Sequence, residues 1–567
     1  MSGIETIRHS LAHVLAQAVK SLYPKVLFGM GPAIEDGFYY DFDKLNISEE
    51  DLKKIENKMH EIIKKKIPIK KILLERRAAI KKLDKQKYKL ELLKDIKDKK
   101  LSFYEQDDFI DLCIGPHVKN TSELPCSFKL TKIAGAYWKG DSKNKMLTRI
   151  YGIAFNTQEE LDDYIKLQEE AEKRNHIKLG KELDLFSFHP EGPGFPFIHP
   201  KGMVIWNELL KYWNEEHEKE NYTQIKTPIV LSKELWLKSG HWDHYKENMY
   251  FTKIDDNEYA IKPMNCPGGM LVYKEKLHSY REFPLRIAEI GLVHRHELSG
   301  VLNGLFRVRA FHQDDAHIFI SEDMIKEEVI NIYNLIERIY KTFNFDFHVE
   351  LSTMPKKAMG DPKVWKKAEA ALEDTLKSKN IKFKINPGDG AFYGPKIDFH
   401  IKDSIGRTWQ CATIQLDFLM PEKFDLTYEG SDGKKHRPIM LHRVVYGSLE
   451  RFIGILIEHY AGKFPLWLSP VQVIILPIAD RHFDYAKEIS EKLIEKNIRV
   501  EIDDRSESIS KKVRDAQMQK IPIMLTVGDK EQENRSLAIR TLDGKVEFGV
   551  KIDQFTENIL EKIKKRN

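Results

Sequence analysis

Apolar residues recur every three or four positions over the first 22 residues of the chain. This spacing gives a helical wheel one apolar side and predicts a helix over Ile4–Leu22. The residues on that side are Ile4, Ile7, Leu11, Val14, Leu15 and Ala18. The aromatic segment GFYYDFD at 37–43 predicts a strand, which a lysine-rich helix and short strands around Asp111 and Tyr137 follow. Residues 1–155 are therefore predicted to form a mixed α/β domain.

The pattern changes at two places in the rest of the chain. Residues 156–183 are highly charged, with helical spacing from position 157, and predict a linker helix. Strand-rich segments and long helices then fill residues 184–465. In the last segment, 466–567, the apolar runs VQVIILPI, IRVEID and IPIMLTVG alternate with helical stretches and predict a separate compact α/β domain.

Composition narrows the class of protein only slightly. The chain has 567 residues, of which 41% are hydrophobic and 32% charged, as is ordinary for a globular protein. A net charge of +5, from 92 basic and 87 acidic residues, permits RNA binding without requiring it. Four cysteines without paired spacing argue against a disulfide framework. Because no apolar run approaches the ~20 residues of a membrane span and the first residues lack an apolar secretory core, we expect a cytoplasmic protein without a membrane partner.

A thiol and two imidazoles lie in separate polar segments, at Cys266, His317 and His442. Three such ligands suit zinc and leave a fourth position open for substrate. None of the three belongs to a closely spaced ligand pair, so on the spacing alone a buried cysteine with two buried histidines is the simpler interpretation.

Arginines and an aromatic residue near these segments suit a nucleotide. Arg295 and Glu297 are two residues apart, so an extended strand would project both side chains from one face. Arg307 and Arg309 are spaced in the same way, and Phe311 follows on the same predicted face as a ring for base stacking. The alternative is a set of solvated strand edges with salt bridges.

Arg451 is predicted to lie on a helix that begins after His442. The apolar side of that helix would comprise Val444, Val445, Leu449, Phe452, Ile453 and Leu456.

A second group of metal-ligand residues occurs near the amino terminus. His9 and His13 are one helical turn apart, opposite the apolar side, and are expected at the surface. Cys113 and His117 repeat this spacing in a segment broken by glycine and proline. Together the four side chains would suit a second zinc ion, whereas surface histidines without a ligand are the simpler interpretation.

Several motifs together resemble one family. The segments MNCPG, HRHE, FRVRAFHQDDAH, GAFYGPKIDF, TIQLDF and GSLERFIG, with DLCIGPHV and GAYWKGDSKNKMLTRIYG, are similar to those of bacterial threonyl-tRNA synthetases, which are class II aminoacyl-tRNA synthetases. The resemblance implies an α+β multidomain protein: an amino-terminal α/β editing domain, a catalytic core built on the class II antiparallel sheet, and a carboxy-terminal α/β anticodon-binding domain. The family commonly begins with a small ubiquitin-like domain, which is expected to be absent because HSLAH already begins at His9.

The resemblance implies that ATP and L-threonine form threonyl adenylate, from which the threonyl group passes to tRNA(Thr). Arg295 would hold the α-phosphate, and Arg307 and Arg451 the distal phosphates. Glu297 would bind the adenine amine and Phe311 would stack on the base. Asp315 would meet the substrate ammonium, and the rest of the pocket would be Met264, Gln313, Tyr393, Lys396, Gln410, Thr413, Gln415 and Ser448. One zinc ion per subunit and Mg²⁺ with ATP are the expected cofactors.

Discrimination between amino acids explains why such an enzyme needs two sites. An apolar pocket separates threonine from valine by only about a hundredfold, whereas zinc that binds the amino and hydroxyl groups refuses valine. Serine has both groups and lacks only a methyl, worth ~1–3 kcal/mol, so it is charged by mistake. By resemblance, His9, His13, Cys113 and His117 would form a hydrolytic editing pocket without an obligatory metal, with Tyr40, Lys89 and Asp111 as accessory groups.

The resemblance also implies RNA and subunit contacts. Arg514, Glu531 and Arg540 fall where the family reads anticodon bases, although surface salt bridges would explain them as well. The segment that ends at Pro228 resembles the first class II motif, a helix and strand at a dimer interface, and predicts a homodimer. Two alternatives are a seryl, prolyl or glycyl enzyme, which would not need the Cys/His₂ set, and a non-catalytic RNA-binding relative.

Overall fold

The computed structural model of the chain describes residues 3–83, 85–141 and 143–566. Two compact units divide between Glu169 and Glu170, inside the segment that the sequence predicts as a linker. We call them the N-terminal unit and the C-terminal unit. Among the described residues, no helix combines the length and the apolar character that crossing a bilayer would need.

The N-terminal unit contains a five-stranded sheet and a three-stranded sheet. Its helices are α1 (Ile4–Leu22), α2 (Glu49–Lys64), α3 (Arg76–Lys82) and α4 (Lys87–Asp95). Its strands are β1 (Leu27–Phe28), β2 (Ala33–Ile34), β3 (Gly37–Asp43), β4 (Ile69–Glu75), β5 (Lys100–Gln106), β6 (Phe109–Leu112), β7 (Phe128–Tyr137) and β8 (Met146–Ala154). The larger sheet has the order β1-β3-β8-β7 with β2 beside β3, and the smaller has the order β4-β5-β6.

The predicted first helix and first strand are both confirmed, with the same bounds as α1 and β3. Leu11 and Leu15 of α1 pack with Phe38 and Phe42 of β3 in the buried core of this unit. The local apolar pattern was sufficient to predict these two elements, because their apolar residues are the ones that become buried.

The predicted linker helix is interrupted. Helices α5 (Gln158–Arg174) and α6 (His176–Glu182) are separated by one residue, Asn175. The Asn175 side chain between them accepts hydrogen bonds from the backbone N–H groups of Ile177 and Lys178. An asparagine cap satisfies the first free N–H groups of a new helix, so the chain restarts there.

The C-terminal unit holds the remaining elements. Its helices after α6 are α7 (Pro200–Lys219), α8 (Lys233–Ser239), α9 (His241–His244), α10 (Cys266–Lys274), α11 (Ile325–Thr342), α12 (Pro362–Ser378), α13 (Met420–Lys423), α14 (Leu449–His459), α15 (Phe483–Ile494), α16 (Ile509–Met518), α17 (Asp529–Glu533) and α18 (Ile552–Lys564). Its strands are β9 (Phe186–Ser187), β10 (Phe197–Ile198), β11 (Thr223–Gln224), β12 (Val230–Ser232), β13 (Tyr250–Ile254), β14 (Asn257–Ile261), β15 (His278–Ser279), β16 (Leu285–His294), β17 (Ala310–Ile320), β18 (Asp346–Ser352), β19 (Phe383–Asn386), β20 (Lys396–Lys402), β21 (Thr408–Asp417), β22 (Tyr428–Glu429), β23 (Lys435–His436), β24 (Ile439–Val444), β25 (Val473–Pro477), β26 (Val500–Ile502), β27 (Ile523–Val527), β28 (Ser536–Thr541) and β29 (Val546–Lys551).

An eight-stranded sheet with the order β11-β16-β17-β24-β21-β20-β18-β19 forms the centre of this unit. Its inner pairs, from β16 to β18, are antiparallel, and only the edge strands β11 and β19 pair in parallel. Helices α11 and α14 contribute buried residues to the largest apolar core of the chain. The result is the mainly antiparallel sheet that the sequence predicts.

The last segment, predicted as a separate compact α/β domain, has the predicted α/β composition but belongs to the same compact unit as the central sheet. The three apolar runs become β25, β26 and β27, which pair in parallel, and β28 and β29 extend the sheet as antiparallel strands. Helices α15 and α18 share a separate buried core with these strands.

Candidate active sites

A cavity of about 420 Å³ lies over the middle strands of the eight-stranded sheet. Nearly all of the predicted catalytic and substrate residues line it. These residues are Met264, Arg295, Glu297, Arg307, Phe311, Gln313, Asp315, Tyr393, Gln410, Thr413, Gln415, Ser448 and Arg451, together with Cys266 and His442. Lys396 lies outside the lining, with its Nζ 2.9 Å from Asp398 Oδ2.

Three guanidinium groups make one part of the cavity strongly positive. Arg295 lies over the ring of Phe311, 5.0 Å from its centroid. Arg451 Nε donates to the Phe306 carbonyl at 2.8 Å. Burial lowers the pKa of Arg451, and the neighbouring Arg307 and Arg295 lower it further. Like charges held together in this way favour the binding of a polyanion.

The prediction that these arginines lie on extended strands was wrong. Strand β16 ends at His294, so Arg295 and Glu297 lie in an irregular segment and not on a strand. Arg307 precedes β17, and Arg309 turns away to donate to the Glu297 and Pro193 carbonyls. The two-residue spacing therefore did not predict a shared strand face, although Arg295, Glu297 and Arg307 do meet at the cavity.

The helix that carries Arg451 also begins later than predicted. His442 and Val444 belong to β24, and α14 begins only at Leu449, with Ser448 as its cap. Gly447 has a φ of +80°, and a Cβ atom there would come within 2.8 Å of the Cys411 carbonyl oxygen. A tight turn that only glycine fits thus separates the strand from the helix.

The buried carboxylate of Asp314 holds that turn. Its oxygens accept hydrogen bonds from the backbone N–H groups of Val445, Tyr446 and Gly447 at 2.9, 3.1 and 2.9 Å. Burial raises the pKa of Asp314 to about 6, against the opposing effects of Arg443 and of these N–H groups. The turn in turn places Ser448, whose Oγ accepts from the Arg451 N–H at 3.2 Å.

Cys266, His317 and His442 are brought together. One ligand atom from each lies within 4.8 Å of the others, and all three side chains are buried. Cys266 begins α10, and His317 on β17 pairs directly with His442 on β24. In the part of the chain that the structure describes, the buried His317 Nε2 has no hydrogen-bond partner, as a metal ligand would require.

Asp417 fixes the orientation of one imidazole. His442 Nε2 donates to Asp417 Oδ2 at 2.9 Å, which leaves Nδ1 free to act as a ligand. Sequence reasoning missed this residue. The available signal was its position in TIQLDF, two residues after Gln415 on the same strand face.

The amino-acid side of the cavity is organised by a second buried acid that sequence reasoning missed. Asp398 accepts from Gln410 Nε2 at 2.7 Å and from Thr413 Oγ1 at 2.9 Å. Asp315 Oδ2 accepts from the Asn265 amide at 3.3 Å, and burial raises the pKa of Asp315. Tyr393 donates to Gln415 Oε1 at 2.6 Å. These polar side chains are thus held in place before any substrate binds.

The second ligand group forms a cluster within the N-terminal unit. Cys113 Sγ lies 3.3 Å from His9 Nε2 and 3.2 Å from His117 Nε2. Burial raises the pKa of Cys113 to about 11 and lowers the pKa values of His9, His13 and His117. The cluster is therefore uncharged near neutral pH, with a protonated thiol and neutral imidazoles that can form hydrogen bonds.

The expected surface position of the two α1 histidines was wrong for His13. Its side chain is 2% exposed. The rings of Tyr104 and Phe109 contact it edge-on, and His117 lies 4.1 Å away, centroid to centroid. The helix is thus covered on its polar side as well, by β5, β6 and the segment after them, which a helical wheel cannot reveal.

The accessory residues converge on Asp111. Lys89 Nζ lies 2.7 Å from Asp111 Oδ1, Tyr40 donates to Oδ2, and His13 Nε2 lies 3.9 Å from the same oxygen. The structure therefore places all seven predicted editing residues in one polar region of this unit.

The predicted anticodon residues lie on three elements of the last segment. Arg514 is exposed on α16, Glu531 is on α17 and Arg540 is on β28. Glu531 accepts a hydrogen bond from the Gly528 N–H at 3.0 Å. Across the described residues, no hydrogen bond or ion pair joins the three side chains.

The antiparallel sheet with its arginine-lined cavity has a known counterpart. Residues 250–460 match the family described as tRNA synthetase class II core domain (G, H, P, S and T), so this is a class II aminoacyl-tRNA synthetase. Residues 472–562 match the anticodon binding domain, and residues 101–151 match the threonyl and alanyl tRNA synthetase second additional domain.

Comparison with individual proteins narrows the class to one family. The chain is 59% identical over 569 residues to the threonine–tRNA ligase of Carboxydothermus hydrogenoformans, with 100% of this chain and 89% of that protein covered. It is 58% identical over 568 residues to that of Acetivibrio thermocellus, with the same coverage. The chain therefore belongs to the threonine–tRNA ligase family.

A solved structure supports the same assignment. The RNA binding domain of threonyl-tRNA synthetase from Cryptosporidium parvum Iowa II is 40% identical, with a TM-score of 0.67, and the match covers 68% of this chain and 98% of that chain. Together these matches confirm the family, the class II fold and the ligase activity predicted from the sequence. They exclude the seryl, prolyl and glycyl alternatives.

Proposed function

We propose that the cavity forms threonyl adenylate from L-threonine and ATP and then transfers the threonyl group to tRNA(Thr). The observation that carries this proposal is the Cys266, His317 and His442 cluster, because two of its members line the same cavity as three arginines. An amino acid and a triphosphate can meet between them.

Zinc fits the cluster chemically. Two imidazoles and a thiol are preferred zinc ligands, and three protein ligands leave a position for substrate. The unpartnered His317 Nε2 and the Asp417 contact to His442 support this assignment. Bound zinc would take the amino and hydroxyl groups of threonine and so refuse valine. Asp315, next to the cluster, would accept a hydrogen bond from an N–H of the zinc-bound amino group.

The nucleotide would lie on the arginine side. Arg295 would hold the α-phosphate, and Arg307 and Arg451 would hold the distal phosphates. Adenine would stack on the face of the Phe311 ring that the Arg295 guanidinium does not cover. Charge neutralisation by fixed guanidinium groups stabilises the transition state without reorganisation. Mg²⁺ would accompany ATP.

The N-terminal cluster would hydrolyse Ser-tRNA(Thr). Neutral histidines beside a buried Lys89–Asp111 pair can position the ester and a water molecule through hydrogen bonds. Arg514, Glu531 and Arg540 would contact the anticodon. A homodimer through α7 and the segment ending at Pro228 fits the exposed apolar side chains of Met203 and Ile229. A cytoplasmic location stays a prediction.

Amino-acid-dependent ATP–pyrophosphate exchange tests the activation step. Threonine should support exchange, serine should support it more weakly, and valine, proline and glycine should not. A Cys266→Ser variant should lose both bound zinc and exchange, whereas Cys126→Ser, which changes an exposed cysteine of the other unit, should keep both. Zinc-free protein that activates proline or glycine would end the proposal.

The editing assignment is tested with a His9→Ala, His13→Ala double variant. We expect Ser-tRNA(Thr) to accumulate with this variant and not with the unaltered protein, because two of the side chains that would position the ester and the water are gone. His60→Ala is the matched control, since His60 stacks on Phe128 in the same unit outside the cluster. Equal accumulation in all three proteins would remove the assignment.

A further inference from the structure

A third group of ligand side chains lies near the far edge of the eight-stranded sheet. It consists of His348 and Glu350 on β18 and His400 on β20. His348 pairs directly with His400 across the two strands, and Glu350 follows His348 by two residues. All three side chains therefore project from the same face of the sheet.

The distances between these side chains suit a shared cation. His348 Nε2 lies 3.4 Å from Glu350 Oε1, and His400 Nε2 lies 3.5 Å from Oε2. Charge-assisted hydrogen bonds between nitrogen and carboxylate are shorter, at about 2.7–2.9 Å. The ligand atoms of a tetrahedral ion with bonds of about 2.0–2.2 Å are about 3.3–3.6 Å apart. The two observed separations, one to each oxygen of Glu350, fall in the second range, and all three ligand atoms lie within 4.8 Å of one another.

The orientation of the rings is consistent with this arrangement. The two imidazoles are stacked, with centroids 4.9 Å apart and planes 13° from parallel, and the Nε2 atom of each ring lies near the Glu350 carboxylate. A neutral imidazole presents the lone pair that a metal requires.

We propose that His348, Glu350 and His400 form a binding site for a divalent transition-metal ion, separate from the Cys/His₂ cluster. Two imidazoles and one carboxylate select borderline cations such as zinc over magnesium or calcium. The side chains are 33%, 19% and 21% exposed, so solvent reaches the site and completes the coordination.

The proposed site lies outside the cavity, but its residues pair with strand residues at the amino-acid side of the cavity. His400 pairs with Gln410, and Glu350 pairs with Asp398, the acid that holds Gln410 and Thr413. A bound cation would thus lie on the same face of the sheet as the amino-acid side of the cavity.

Cobalt substitution in the full-length chain tests the proposal. Metal-free protein is titrated with Co²⁺ in a chelator buffer, and bound cobalt is counted while visible and near-ultraviolet absorption are recorded. Cobalt at Cys266 or Cys113 carries a sulfur-to-cobalt charge-transfer band, because each of those groups contains a thiol. Cobalt at the proposed site has nitrogen and oxygen ligands only and must show d–d absorption without that band.

We expect one sulfur-free cobalt ion per chain in the unaltered protein. His348→Ala and Glu350→Gln should each lose this ion. His436→Ala should keep it, since His436 is an exposed histidine paired with Asp432 at 2.9 Å elsewhere in the unit. Cys266→Ser should also keep it, which separates this site from the proposed catalytic zinc.

Two results would overturn the proposal. One is that all cobalt bound by the unaltered protein carries the sulfur band. The other is the same cobalt count in the unaltered, His348→Ala and Glu350→Gln proteins. Should the alanine variant fail to fold, the isosteric Glu350→Gln variant and the spectrum of the unaltered protein still decide the question.

Discussion

Asp417 shows how one buried acid can control a neighbouring site. Its Oδ2 accepts from His442, while its Oδ1 accepts from the Leu419 and Met420 N–H groups at 2.8 and 2.9 Å. The backbone thus holds the carboxylate, and the carboxylate holds the imidazole. Partners of this kind fix the tautomer of a ligand and raise its basicity.

Asp417→Asn should weaken zinc binding by about 10–100-fold, because the amide nitrogen cannot accept from His442 Nε2. The amide oxygen can still accept from Leu419 and Met420, so the fold should be retained. Competition with a chromophoric zinc chelator measures the affinity. Asp403→Asn is the control, because that buried carboxylate bonds Arg407 and Trp409 and no histidine. Equal zinc affinity in Asp417→Asn and the unaltered protein would contradict the role.

The residues that the sequence could identify were those with distinctive chemistry. Cysteine, histidine and arginine in polar motifs stood out, and most of them line the cavity. Asp314, Asp398 and Asp417 did not, because a single acid in a strand is normally a solvated residue. Their burial depends on which strands become neighbours, and that pairing was not available from local pattern.

Among the elements, the strand-to-helix turn after β24 is the one whose position matters most for the cavity. Three hydrogen bonds to Asp314 and the left-handed Gly447 set where α14 begins. Apolar spacing predicted the helix but not its start, because Val444 and Val445 continue the apolar pattern through the strand and the turn.

Asp314→Asn should lower the rate of threonyl adenylate formation at least about tenfold. The NH₂ group of asparagine cannot accept a hydrogen bond from a backbone N–H, so at least one of the bonds that hold the turn is lost. Arg451 and Ser448 would then lose their positions. Pyrophosphate exchange measures the rate. Asp432→Asn, at an exposed acid that accepts from the Lys434 N–H, should have no effect. Full exchange activity in Asp314→Asn would show that the turn keeps its form without the carboxylate.

At the scale of the whole molecule, each unit has its own buried core. The N-terminal core is built around α1 and β3, and the C-terminal core around the eight-stranded sheet. The residues proposed for aminoacylation and those proposed for editing are divided between these two units. The division was visible in the sequence as a charged helical segment, although the break at Asn175 was not.

A fragment of residues 156–567, which retains all of α5, should therefore fold and charge tRNA(Thr) with both threonine and serine. It should not hydrolyse Ser-tRNA(Thr), because every proposed editing residue is missing. Aminoacylation and deacylation assays with the two amino acids measure these activities, with the full-length chain as control. Hydrolysis of Ser-tRNA(Thr) by the fragment would place editing in the C-terminal unit.

The direct pairing of His317 with His442, and of His442 with Gln415, restricts how the chain can vary in length. A one-residue insertion or deletion within β17, β21 or β24 would turn the following side chains to the opposite face of the sheet. The proposed zinc ligands would then no longer meet, even with each of those residues unchanged. Natural insertions and deletions in related chains should therefore be confined to the loops outside these three strands.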